Sequence, residues 1–271
     1  MRRGRTQRRM VRRVRPDGAT RAPDELLVEE PMEIRLDDNP VTTTMRTPGH
    51  DFELAAGFCH SEGLLAGAAI VRIRYCGAGA AVDSEFNVVS VETGGWAPEP
   101  IPRLGTTSSS CGLCGTTAIE RLTERLDPLQ PVAPSAATVL GIAAEVRAAQ
   151  ELFGLTGSSH GAASFDVRSG ALGVVREDIG RHNAVDKVIG RLLLDGDLPA
   201  MTAGPASRGL WISGRASLEM VVKAWAGGFA ALVSVSAPSS LAVEVAETAG
   251  LALFGFTRGD TTTIYHDPLA P

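Results

Sequence analysis

The chain has 271 residues, a length that allows one large or two small domains and a conventional buried core. At 44% hydrophobic and 21% charged it has the composition of a globular protein, which excludes disorder throughout. No stretch reaches the ~18 unbroken apolar residues that span a bilayer, and no apolar segment follows the arginine-rich start, so a cytoplasmic location without membrane contact is expected.

Charge is unevenly placed. Arg2, Arg3, Arg5, Arg8, Arg9, Arg12, Arg13, Arg15 and Arg21 stand against Asp17 alone, a net of +8 over residues 1–21; the rest of the chain carries −13 of the overall −5. Such a segment could grip nucleic acid or an acidic partner. No aromatic side chain interleaves the arginines, however, so residues 1–22 are expected to be a disordered basic tail that binds no nucleic acid.

Residues 25–34 and 41–45 suggest strands around the turn Asp37-Asp38-Asn39-Pro40. Residues 51–65 have helical spacing with Cys59 on the apolar side, and 70–75 and 86–91 alternate as half-buried strands, with Cys76 at the end of the first. Residues 94–110 are expected to form a proline-containing polar loop that leads into Cys111, and 116–126 an amphipathic helix. Pro128, Pro131 and Pro134 mark a stiff linker, dividing a β-rich region at 23–127 from an α/β region at 128–271. In the latter a helix at 136–153 precedes a strand pair at 162–166 and 171–175 and a helix at 183–194. Strands at 210–213, 230–237 and 251–257 then alternate with helices at 217–226 and 239–249, which implies a parallel sheet covered on both faces.

The strongest chemical signal is Cys111-Gly112-Leu113-Cys114-Gly115, two thiols in a glycine-flanked loop entering a helix. The helix dipole and free N–H groups favour the thiolate at such a place, and a second cysteine can resolve a disulfide or persulfide formed on the first. Half of a structural zinc site, a dithiol redox motif and a purely structural pair are the alternatives that spacing leaves open. Cys59 and Cys76, in regular elements, are expected to be buried and inert.

A second signal is the polar run from Arg176 to Lys187, in which Arg181, His182 and Asn183 open a helix with Asp178 as their partner and could bind an anion or a base edge. A third is a set of strand ends: Ser213-Gly214-Arg215, Ala237-Pro238-Ser239-Ser240, and Phe256-Thr257-Arg258-Gly259-Asp260-Thr261. In α/β sheets ligands collect at such ends, and three aimed at one crevice suit a large phosphate-bearing ligand. His160, in a glycine-serine loop, could be a proton shuttle or a surface group.

These segments, with Ser236-Ala237-Pro238-Ser239-Ser240 and Gly255-Phe256-Thr257-Arg258-Gly259, resemble the formate dehydrogenase accessory sulfurtransferases, the FdhD/NarQ family, over most of the chain. The resemblance implies a mixed α/β fold: a three-layer core like that of cytidine deaminase, with a smaller N-terminal β-rich part. It implies a sulfurtransferase that takes sulfur from a cysteine desulfurase as a persulfide on Cys111, with Cys114 as partner. The acceptor would be the molybdenum bis(molybdopterin guanine dinucleotide) cofactor needed by apo-formate dehydrogenase. Phe256, Thr257, Arg258, Gly259, Asp260 and Thr261 correspond to the family's cofactor-binding stretch, with Ser213, Gly214, Arg215, Arg181, His182 and Asn183 as companions. No structural metal is expected, and a homodimer is implied. The alternative is a cofactor chaperone without covalent sulfur transfer. The deaminase signature His-x-Glu with Pro-Cys-x-x-Cys is missing, Ser110 standing where proline would be, which argues against deamination.

Overall fold

The computed structural model describes residues 4–75, 86–100, 126–198 and 208–270. Residues 6–27 differ from the expected disordered tail: β1 (Thr6–Arg15) and β2 (Gly18–Leu27) pair as an antiparallel hairpin around Pro16-Asp17. Apolar residues and arginines are mixed on both faces of β1, Arg8, Met10, Arg12 and Val14 on one and Arg9, Val11, Arg13 and Arg15 on the other, and Asp24 and Glu25 supply acids on the facing strand, Asp24 lying 3.1 Å from Arg13. The hairpin stays largely exposed, Val14 at 75%.

The expected opening strands are β3 (Glu30–Leu36) and β4 (Asn39–Arg46). At the turn Asp37 and Asp38 take φ of 47° and 64°, the left-handed pair that a two-residue hairpin needs to match strand twist. With β5 (Arg72–Tyr75) and β6 (Val88–Glu92) they form a sheet in the order β4-β3-β6-β5. One face buries Met32, Ile34 and Leu36 against Leu54, Phe58 and Cys59 of α1 (Asp51–Ser61).

The larger sheet has the order β12-β11-β10-β9-β7-β8. It comprises β7 (His160–Asp166), β8 (Leu172–Asp178), β9 (Arg208–Ile212), β10 (Ala231–Ser234), β11 (Ala252–Arg258) and β12 (Thr261–His266). Strands β9, β10 and β11 are parallel, as their alternation with helices predicts, and β12, β7 and β8 join through antiparallel pairings. Strand β12 is an addition to the expected elements, and its run Thr261-Thr262-Thr263-Ile264 is β-branched throughout.

Helices α4 (Arg181–Leu194), α5 (Leu218–Ala226) and α6 (Ser240–Ala249) cover one face of this sheet through Val185, Val188, Met220, Val221, Val245 and Ala246. Helix α2 (Ala136–Ala149) covers the other with Val139, Ile142 and Val146. The three-layer core and the smaller β-rich part of the expected fold are both present. The single helix expected at 136–153 is broken at Gln150: the Glu177 carboxylate accepts the N–H groups of Leu152 and Phe153, each at 2.8 Å, and starts a second helix, α3 (Glu151–Thr156).

Helix α1 joins the two sheets by crossing α4 where Gly57 meets Gly190. Arg176 of β8 reinforces the junction with a bidentate pair to Glu53 of α1, at 2.5 and 2.9 Å. Among the described residues no helix is long and apolar enough to cross a membrane.

Candidate functional site

Because β9, β10 and β11 are parallel, their carboxyl ends open on one edge of the sheet, where antiparallel β7 begins and β8 ends. Helices α4 and α5 begin at the same edge. The turns beyond the strands stay knitted together: Val235 N–H donates to Ile212 O (3.2 Å), Ser239 N–H to Ala216 O (3.1 Å) and Phe256 N–H to Ser236 O (3.1 Å). The Ser234 hydroxyl donates to Gly214 O at 2.7 Å. The three strand ends singled out in the sequence therefore form one continuous rim, as open α/β sheets use for ligands.

At its centre His160 Nδ1 lies 3.2 Å from Ser213 Oγ, which also accepts the Gly161 N–H at 3.0 Å. The Arg181 side chain crosses Gly214 so closely that a Cβ there would sit 3.2 Å from Arg181 Cδ and 3.9 Å from His160 Nδ1. Glycine is what allows that approach. Arg181 Nε and Ser217 Oγ are buried and have no hydrogen-bond partner among the described residues. Ser217 precedes α5 without its hydroxyl capping the helix, unlike Ser239, which accepts from Ala242 N–H at 3.2 Å before α6. Unused donors at two adjacent helix starts make an environment for an anion. Arg215, on the same turn, is exposed.

His182 and Asn183 serve this rim differently. His182 is buried and its Nε2 pairs with the Glu219 carboxylate across the α4–α5 gap. The Asn183 amide donates to Asp178 (3.0 Å) and Met45 O (2.8 Å), so it fastens α4 to the β4 end rather than presenting an edge to solvent. Asp178, fully buried, is the partner the sequence suggested. It accepts Gly180 N–H (2.8 Å), Thr47 N–H (3.1 Å) and the Lys187 ammonium (2.7 Å) besides Asn183. With four donors its charge is satisfied, and the start of α4 is held rigidly.

Further along, Phe256 takes φ of 51° although it is not glycine, and it is 39% exposed. Such a conformation costs on the order of 1 kcal/mol or more and is kept where the surroundings demand it. The Arg258 guanidinium carbon lies 6.0 Å from the Phe256 ring centroid. Thr257 points inward and shares a hydrogen bond with Thr262 at 2.8 Å. Gly259, with φ of 61°, Asp260 and Thr261 form the exposed turn into β12.

Burial holds the pKa of His160 below the usual histidine value, and the nearby Arg181 and His182 push it the same way. Cys59 is fully buried in the α1 layer, and burial followed by the Asp186 and Glu62 charges drives its thiol up to about 12, so it is inert as expected. Cys76, Cys111 and Cys114 lie outside the described residues. Among those described, no three His, Cys, Asp or Glu side chains come together as a metal requires.

The sequence did not reveal Glu219 as the partner of His182, nor Lys187 and Thr47 as partners of Asp178. The i,i+4 spacing of Asn183 and Lys187 carries a hint that the two share one face of α4. The Glu219 pairing carries none, because it depends on how α4 and α5 pack.

Residues 27–270 match the profile of the FdhD/NarQ family. The chain is 46% identical over 270 residues to the "Sulfur carrier protein FdhD" of Streptomyces avermitilis, covering 96% of this chain and 93% of that one. It is 41% identical to the protein of the same name from Mycobacterium tuberculosis, over 96% of each. Its fold matches the crystal structure of a formate dehydrogenase accessory protein from Desulfotalea psychrophila with a TM-score of 0.77 and 25% identity, over 98% of both chains.

Proposed function

Because the chain belongs to the FdhD/NarQ family, we propose that it is a sulfur carrier that serves formate dehydrogenase, and more finely a sulfurtransferase working through a cysteine persulfide. In this reading the Cys111 thiolate attacks the outer sulfur of a persulfide on a cysteine desulfurase. The donor S–S bond breaks, the donor leaves as a thiolate, and a new S–S bond forms on Cys111, with Cys114 positioned in sequence to resolve or relay it. The acceptor is the molybdenum bis(molybdopterin guanine dinucleotide) cofactor as substrate, destined for apo-formate dehydrogenase.

The observation that carries the cofactor half of this reading is the continuous rim at the strand ends. It offers Arg181, Ser213 and Arg215 for phosphate groups, with Gly214 leaving room, and the exposed Phe256 face beside Arg258 for a purine ring. His182, Asn183 and Thr257 act behind them by holding α4, α5 and the β11 turn in place. Gly259, Asp260 and Thr261 complete the turn that presents Arg258.

Two measurements test the two halves. After incubation with a cysteine desulfurase and cysteine, mass spectrometry should find one added sulfur on the peptide containing residues 111–114, lost in Cys111→Ala and kept in Cys59→Ala. Guanine-nucleotide binding should fall in Arg258→Ala while sulfur loading persists. A Cys111→Ala protein that still activates formate dehydrogenase fully would instead mean a chaperone that never bonds to the sulfur.

A further inference from the structure

His160 is not one of the residues assigned above to ligand binding, yet it sits at the centre of the rim. Its Nδ1 is engaged by Ser213, and its Nε2 makes no hydrogen bond among the described residues and is not among their buried, unpartnered atoms. The ring is half-buried at the first residue of β7, beside the glycine that Arg181 crosses.

The charges around it come from every packed element. Helix α4 supplies Arg181 and His182, the latter paired with Glu219 of α5. Strand β8 supplies Asp178, opposite His160 in the sheet, with most of its charge committed to Lys187 and three further donors. The turn after β9 supplies Arg215, which is exposed. Without an anion beside it, a proton on His160 meets partial burial and the charges of Arg181 and His182, and Asp178 favours that proton.

An anion at Arg181 reverses that balance. Its negative charge beside the ring favours the imidazolium, and the imidazolium offers a second charged donor where Arg181 already has an unused one. We infer that His160 is a proton-switched ligand of the phosphate group bound at this rim, taking one proton from solvent as the anion enters and releasing it as the anion leaves. Ser213 is its positioning residue, fixing the ring through Nδ1. The consequence is an affinity for phosphate-bearing ligands that rises as pH falls through the histidine range.

The inference rests on the rim being the guanine-nucleotide site proposed above, so the experiment must separate the two. A suitable probe is diguanosine pyrophosphate, whose diester phosphates do not titrate near neutrality, so any proton uptake belongs to the protein. Calorimetry on the full chain in buffers of different ionisation enthalpy reads affinity and protons together. The wild-type chain should bind about tenfold more tightly at about pH 5 than at about pH 8, one pKa unit of linkage, and take up about half a proton on binding near the middle of that range, the most that a one-unit shift allows. His160→Gln keeps a hydrogen-bonding side chain that cannot charge, and its affinity should stay flat with pH. Ser213→Ala, a smaller perturbation of the fold, should weaken the linkage without abolishing binding. Wild-type binding that is equal at both pH values, or a pH dependence that survives in His160→Gln, overturns the inference and leaves the rim intact. Wild-type chain that fails to bind the probe at either pH overturns the rim assignment itself, while sulfur loading on Cys111 reports separately on the carrier function.

Discussion

Gly57 and Gly190 face each other where α1 crosses α4, and each lies against the other helix's backbone: a Cβ on Gly57 would overlap the Asp186 carbonyl, and one on Gly190 would overlap that of Glu53. Both obstacles are main chain, so neither can swing aside. Alanine normally improves a helix over glycine by about 0.5–1 kcal/mol, whereas overpacking of this kind costs about 1–3 kcal/mol or more. Gly57→Ala and Gly190→Ala should each lower the denaturation midpoint. An unchanged or raised midpoint in both would show that the helices can separate freely.

Asp178→Asn leaves the Lys187 ammonium in a fully buried place without its carboxylate. Removing one partner of a buried pair costs about 3–5 kcal/mol. Chemical denaturation should register that loss, and the double variant Asp178→Asn with Lys187→Met should recover part of it. If the double variant is as unstable as the sum of the singles, the charge is not the cause.

The Glu53 carboxyl would be pushed up by burial, but hydrogen bonds from Arg176 and His50 outweigh that and hold it down to about 2, from an ordinary 4.5. A carboxyl with a depressed folded pKa stabilises the fold above its unfolded value, and the contribution fades as protons bind. The α1–β8 junction should therefore weaken as pH falls from 4.5 towards 2. Glu53→Gln, measured across that interval, should show a shallower loss of stability than the wild type; identical slopes would contradict the linkage.

Phe256→Gly removes a side chain from a left-handed position that glycine adopts without cost. Stability should change by no more than about 1 kcal/mol, since relief of strain offsets the lost ring contacts. Guanine-nucleotide binding should nonetheless drop. A glycine variant that binds like the wild type would remove the base-stacking role from this ring.

Cys59, buried against Phe58 and Leu54 with its thiol pushed up to about 12, should resist alkylation until the chain unfolds. Iodoacetamide footprinting with and without denaturant reads this directly. Rapid labelling of Cys59 in the folded protein would mean that the α1 layer opens.

Some of this was legible along the chain because it depends on neighbours in sequence. The alternation in β3, the apolar spacing of α4 and the repeated strand-turn-helix order after residue 208 are local patterns, and they announced both the covered parallel sheet and the polar strand ends that line its edge. Asp178 as partner of the α4 start was legible for the same reason, lying five residues from Asn183. The hairpin of the basic N-terminal segment is not legible in its arginine-rich sequence, because the acids that pair with it stand on the other strand.

What the chain by itself determined is its family, its layered α/β core, its pair of close thiols and the set of polar strand ends. Only the tertiary structure decided which of those polar groups stay open to the strand-end rim and which are turned into the protein. Packing of α4 on α5 turned His182 towards Glu219, the end of β4 and the buried Asp178 drew Asn183 and Lys187 inward, and the antiparallel pairing of β7 with β9 set Gly214 beside His160 and beneath Arg181. Each depends on contacts between segments distant in sequence, whose geometry is fixed by shape and burial rather than by any local propensity.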